Sequence, residues 1–100
     1  MKSKKIAASD SDPLALRIDK LIWYLGFAGN RTMAKKLANS GHMRLNGRRV
    51  ERAHMMVRQG DILTIPQGRE VHVIRISALP LRRGNLPDAQ TCYQRLRTGL

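Results

Sequence analysis

Arg31, Lys35 and Lys36, followed shortly by Arg44, Arg48, Arg49 and Arg52, are the residues whose type and spacing could do chemistry in this chain. Arg31 and Lys35 stand one helical turn apart, and Lys36 is adjacent, so on a helix they present cations outward together. Such a face neutralises phosphates. Asn30, just before them, suits a helix N-cap, and the free backbone N–H groups of that terminus favour an anion. Arg17 and Lys20 add cations upstream, and Asn46 stands between Arg44 and Arg48. Catalysis would need a nucleophile beside a base, paired carboxylates or a phosphate loop. The seven acidic residues are scattered without pairing, so no catalytic residue is assigned. Asp19 suits a first-turn carboxylate that orients Arg17 or Arg31, and Glu51 an ion pair with neighbouring arginines. His42, His54 and His72 do not converge on a metal, and His72 alternates outward on a strand. No metal site and no cofactor is expected.

These cations need elements to hold them. Ile18, Leu21, Ile22 and Leu25 form the apolar stripe of an amphipathic helix over residues 17–25, which Gly26 stops. Met33, Ala34, Leu37 and Ala38 form a second stripe over 31–40, ended by Gly41. The connection GFAGN is short, so the two helices pack as a hairpin with Phe27 as a wedge. After Gly41 the period changes from 3.6 to 2. Asn46-Gly47 signals a two-residue hairpin, because a type I′ turn needs positive φ at both central positions. That register puts Met43, Leu45, Arg48 and Val50 on one side and Arg44 and Arg49 on the other. Further strands are expected at 62–65 and 71–76. Ala89, Cys92, Tyr93 and Leu96 then repeat at helical spacing after Pro87, which predicts a C-terminal helix. The fold class is α+β: a two-helix hairpin packed on a small, mostly antiparallel sheet, with a C-terminal helix. Trp23 and Tyr24 are open to two readings, core packing or stacking on bases. Met55 and Met56 suit either loop packing or a partner surface.

Composition narrows the partner. The 100 residues hold 19 Lys+Arg against 7 Asp+Glu, a formal charge of +12 that points to a polyanion. The excess is concentrated. Residues 17–58 carry ten basic residues, the tenth being Arg58, against Asp19 and Glu51. Residues 59–79 are balanced, and 80–100 carry four Arg against Asp88. Arg outnumbers Lys by seven to three within 17–58, which suits bidentate phosphate contacts and stacking on exposed bases. The single Cys92 excludes an internal disulfide framework and a zinc-finger pattern, and a reducing cytoplasm is the expected setting. No apolar run reaches the roughly 18 residues of a membrane span, and the start lacks the apolar region of a signal peptide. The expected organisation is a flexible basic arm at 1–16, a domain at 17–79, and a basic linker with a helix at 80–100.

The stretch RIDKLIWYLGFAGNRTMAKKLANSGHMRLNGRRV with VRQGDILTI resembles the RNA-binding domain named after small-subunit ribosomal protein S-four, the αL motif. The matching features are Arg17-Ile18-Asp19, Gly26-Phe27, Arg31, Ala34, Leu37, Gly41, Leu45-Asn46-Gly47, Val50 and Gly60-Asp61. The opening RIDKLIWY and the tail ALPLRRGNLPDAQTCYQRL are similar to the heat-shock protein 15 group of ribosome-associated proteins. Asn30 stands where that domain often has Ser, and Met43 where Val is common; both substitutes keep the local role.

The resemblance implies a non-catalytic protein that recognises structured ribosomal RNA on the large subunit. The particle would carry a stalled nascent chain, with tRNA as a further contact, in ribosome rescue under heat shock. Independently of the resemblance, charge and spacing make Arg17, Lys20, Asn30, Arg31, Lys35, Lys36, Arg44, Asn46, Arg48, Arg49 and Arg52 the expected RNA-binding residues, on a monomer with no membrane partner. Two alternatives stay open: a standalone relative of the RNA-targeting domain of pseudouridine synthases or tRNA synthetases, and a general nucleic-acid binder that also takes DNA.

Overall fold

The computed structural model describes residues 14–99, without the side chains of 97–99; the expected N-terminal arm lies outside the described residues up to residue 13. Helix α1 (Ile18–Tyr24) forms because its stripe has somewhere to go: Ile18, Leu21 and Ile22 are fully buried and Leu25 nearly so. It ends in a Schellman motif. Gly26, at φ +86°, donates to the Trp23 carbonyl and Phe27 donates to that of Ile22. Phe27 then turns into the core as the wedge. Helix α2 (Arg31–Asn39) is capped by Asn30, whose side chain accepts from the Met33 N–H at 2.8 Å. Its buried face is narrow, Ala34 and Ala38, which lets α2 approach α1 closely.

Strands β1 (Ala15–Arg17), β2 (Arg44–Leu45), β3 (Arg48–Arg49), β4 (Met56–Arg58), β5 (Ile62–Gln67), β6 (Glu70–Ile76) and β7 (Tyr93–Gly99) succeed one another along the chain, with helix α3 (Leu86–Gln90) before β7. β1 pairs with β4; the others form one sheet in the order β3-β2-β5-β6-β7, every pairing antiparallel. The β2–β3 turn has the expected geometry, with φ of +53° at Asn46 and +85° at Gly47. The inner faces of β5 and β6, Leu63, Ile65, Ile74 and Ile76, bury completely among the α1 stripe, Met43, Val50 and Val57. Each such side chain stabilises the fold by about 1.5–3 kcal/mol. The division expected at residue 79 falls between β6 and α3, and β7 beyond it pairs with β6.

Three expectations need correction, and two strands were not expected. The C-terminal helix stops at Gln90, and Tyr93–Gly99 is a strand. Helical spacing at 89–96 lost to the backbone of β6, whose N–H and C=O groups β7 satisfies along the outer edge. β1 and β4 were not legible, being three residues each and stabilised by pairing with one another. Met33 is 51% exposed instead of facing the core. His72 is buried rather than outward; its ring lies 5.6 Å from Phe27, and its nitrogens contact Gln67 and Arg95.

Candidate nucleic-acid interface

Three elements bring the expected cations together. α2 carries Lys35 and Lys36, both exposed, Lys36 opposite the buried Ala34 and Ala38 and Lys35 on the flank. The β2–β3 hairpin comes directly after the end of α2, and a Cβ placed on Gly41 would meet the Arg49 side chain at 3.8 Å. The segment after the hairpin is tied to the same helix end, since the Ala53 N–H donates to Asn39 Oδ1 at 2.9 Å, which sets exposed Arg52 there. The start of α1 joins it through Ile18 N–H to Met55 and Asp19 N–H to Ala53.

Within the hairpin Arg44 stands directly opposite Arg49, and Leu45 opposite Arg48. All three arginines are exposed, and among the described residues none has an acidic partner. Like charges placed directly across a strand pair destabilise it. An anion laid between them turns that repulsion into attraction.

Arg17 and Arg31 have a different setting. Asp19 is fully buried at the start of α1, and Arg17 holds it with two hydrogen bonds of 3.1 and 2.9 Å. Arg31 Nη2 lies 3.6 Å from the same carboxylate, and the Lys20 N–H donates to it at 2.7 Å. The Arg31 guanidinium also sits 6.0 Å from the Trp23 ring centroid, while its buried Nε has no partner among the described residues. Both arginines thus answer a buried charge, with part of each left at the surface. The orienting role expected of Asp19 is present for both.

Lys20 Nζ lies over the Tyr24 ring at 5.6 Å. Asn30 spends its side-chain oxygen on capping α2. Asn46 is committed at both amide ends: Oδ1 accepts from the Ile62 N–H at 2.9 Å, and Nδ2 donates to Asp61 Oδ1 at 3.1 Å. It shapes the turn that presents the arginines. His42 and His54 are exposed, and among the described residues no group of three or more His, Cys, Asp or Glu could hold a metal. No helix is long and apolar enough to cross a membrane among the described residues. Sequence reading missed Arg83, whose Nη1 donates to the carbonyls of Trp23 at 3.0 Å and Ala28 at 3.3 Å. Only its place in a basic linker hinted at a role.

A helix hairpin running into a tight β-turn, with cations on its second helix and turn, defines a class, and comparison with known proteins agrees. Residues 16–63 match the family model of the S4 domain. Over 81% of each chain it is similar to a solved structure, the trimeric Heat Shock Protein 15 of Vibrio cholerae, with a TM-score of 0.76 and 28% identity. It is also 41% identical over 73 residues to small ribosomal subunit protein uS4 of Thermodesulfovibrio yellowstonii, which covers 71% of this chain and 35% of that one. The uS4 of Acidithiobacillus ferrooxidans is 38% identical over 65 residues, 65% of this chain and 31% of that protein. The chain thus spans about a third of the length of these ribosomal relatives.

Proposed function

We propose that this protein binds structured ribosomal RNA, without catalysis, on the face formed by α2, the β2–β3 hairpin and the start of α1. The observation that carries this is the opposed pair Arg44 and Arg49, without an acidic partner among the described residues, on the hairpin that follows α2 and its exposed lysines. The S4 match and the likeness to ribosomal and heat-shock proteins support RNA over DNA. The finer reading is of a cytoplasmic protein on the large ribosomal subunit, acting where a stalled nascent chain and its tRNA remain. It acts as a monomer, since copies of charge +12 repel one another. The trimer described for the Vibrio cholerae protein makes sedimentation with and without RNA the check on that point.

Crosslinking in cells followed by sequencing of the bound RNA tests the whole reading. Enrichment of large-subunit ribosomal RNA is expected. Enrichment of small-subunit RNA alone overturns the large-subunit assignment, and enrichment of messenger RNA or DNA alone overturns the ribosomal one.

A further inference from the structure

Between the end of α1 and the segment leading through α3 lies a cavity of about 370 Å³, within the range of small-ligand sites. It is remote in sequence from the hairpin, and its far wall lies outside the stretch that matches the S4 domain. One wall is the half-buried ring of Tyr24; Leu79, Pro80 and Leu81 supply apolar surface; Arg82 and Asp88 supply charge. Lys20 lies over the same tyrosine ring.

The segment is held in place. Arg83 fastens it to the elbow between α1 and α2 through the Trp23 and Ala28 carbonyls. Asn85 Oδ1 accepts from the Asp88 N–H at 2.9 Å, which fixes the start of α3. At Gly84 a Cβ would stand 2.9 Å from Asp88 Cβ, so only glycine lets the loop close on that residue. Asp88 is exposed to solvent, and its carboxylate has no hydrogen-bond or ion-pair partner among the described residues, in a chain where cations outnumber acids 19 to 7. An acid left unpaired beside an aromatic wall, with Arg82 and Lys20 nearby, fits a ligand that brings N–H donors, an aromatic face and a negative charge.

We propose that this cavity takes one unpaired guanine base of the bound RNA. This rests on the RNA-binding reading above and adds a base-specific contact to it. Unpaired bases are recognised by stacking on aromatic side chains and by hydrogen bonds to their Watson–Crick edge. The base lies against Tyr24 and the apolar wall, and Arg82 and Lys20 meet the flanking phosphates. An ionised carboxylate only accepts hydrogen bonds, through two oxygens. Guanine alone among the four bases offers two adjacent donors, N1–H and N2–H, to match them. Charge complementarity thus selects a nucleotide, and the carboxylate selects which one.

The test uses short uridine oligomers carrying one central guanosine, adenosine, cytidine or uridine, titrated against the full chain and its Asp88→Asn variant. In the unaltered protein the guanosine oligomer should bind about tenfold tighter than the others, as a bidentate base contact implies. Asp88→Asn removes one negative charge, which strengthens the adenosine, cytidine and uridine oligomers alike, and it also removes the acceptor pair that only guanosine uses, so the guanosine ratio should fall to near one. Tyr24→Leu, checked for folding by circular dichroism, should weaken every base-bearing oligomer about tenfold through lost stacking. Equal affinity for all four bases, or a ratio kept in Asp88→Asn, overturns the pocket. If salt-sensitive RNA binding persists in that case, the pocket alone has failed; if neither oligomers nor ribosomal RNA bind, the RNA reading fails with it.

Discussion

Replacing Arg17 by Met should destabilise the fold far more than removing any exposed cation of α2. Met keeps much of the apolar stem and deletes the guanidinium. Asp19 has no exposure to solvent, and Arg17, a quarter exposed, gives it its two side-chain hydrogen bonds. Stranding one member of a buried pair costs about 3–5 kcal/mol. Here the Lys20 N–H at 2.7 Å and Arg31 at 3.6 Å remain to answer the carboxylate, which brings the expectation to about 2–3 kcal/mol by the same reasoning. In a domain of this size that lowers Tm by about 10–20 °C. Arg31→Ala should cost less, about 0.5–1 kcal/mol, because its contact is longer and its side chain is 36% exposed and screened. Thermal and urea unfolding followed by circular dichroism measure all of these. The double variant Arg17→Met with Asp19→Asn should recover part of the loss, since no uncompensated charge stays buried. An Arg17→Met protein within about 0.5 kcal/mol of the original, where surface changes fall, would refute the account of Asp19.

Lys35→Ala with Lys36→Ala should leave unfolding within about 0.5 kcal/mol and lower the slope of log affinity for ribosomal RNA against log salt by about two; an unchanged slope places the RNA elsewhere. Arg44→Gln or Arg49→Gln should each reduce that slope by about one, with stability unchanged or raised because the opposed charges are relieved. Urea titration should show Asn46→Ala destabilised by about 1–2 kcal/mol, since two hydrogen bonds to Asp61 and Ile62 are lost; a stability equal to the original would mean that Asn46 does not hold the turn.

The helix hairpin and the β-turn are legible in the sequence because their causes are local. Ile18, Leu21, Ile22 and Leu25 repeat at helical period, Asn30 caps the helix that begins at the next residue, and Asn46-Gly47 supplies the two positive φ angles that its turn needs. The exposed cations of α2 and the hairpin come from the same periods, so most of the candidate interface is legible in the sequence. Tertiary structure decided the rest, wherever two conformations were locally near balance or the partner lay far along the chain. Residues 93–99 joined the sheet because β6, well upstream, offered an open edge, which no window of local sequence contains. His72 turned inward because Phe27, Gln67 and Arg95 surround it from three separate segments. Whether Arg17 and Arg31 were surface charges or the counter-ions of a buried carboxylate depended on the depth of Asp19. The cavity at Tyr24 exists because Arg83, some 60 residues later, reaches back to the Trp23 carbonyl. Charge and period are properties of a segment; burial and enclosure are properties of the packed whole, and the second pair determines which of the first pair's residues are free to meet a ligand.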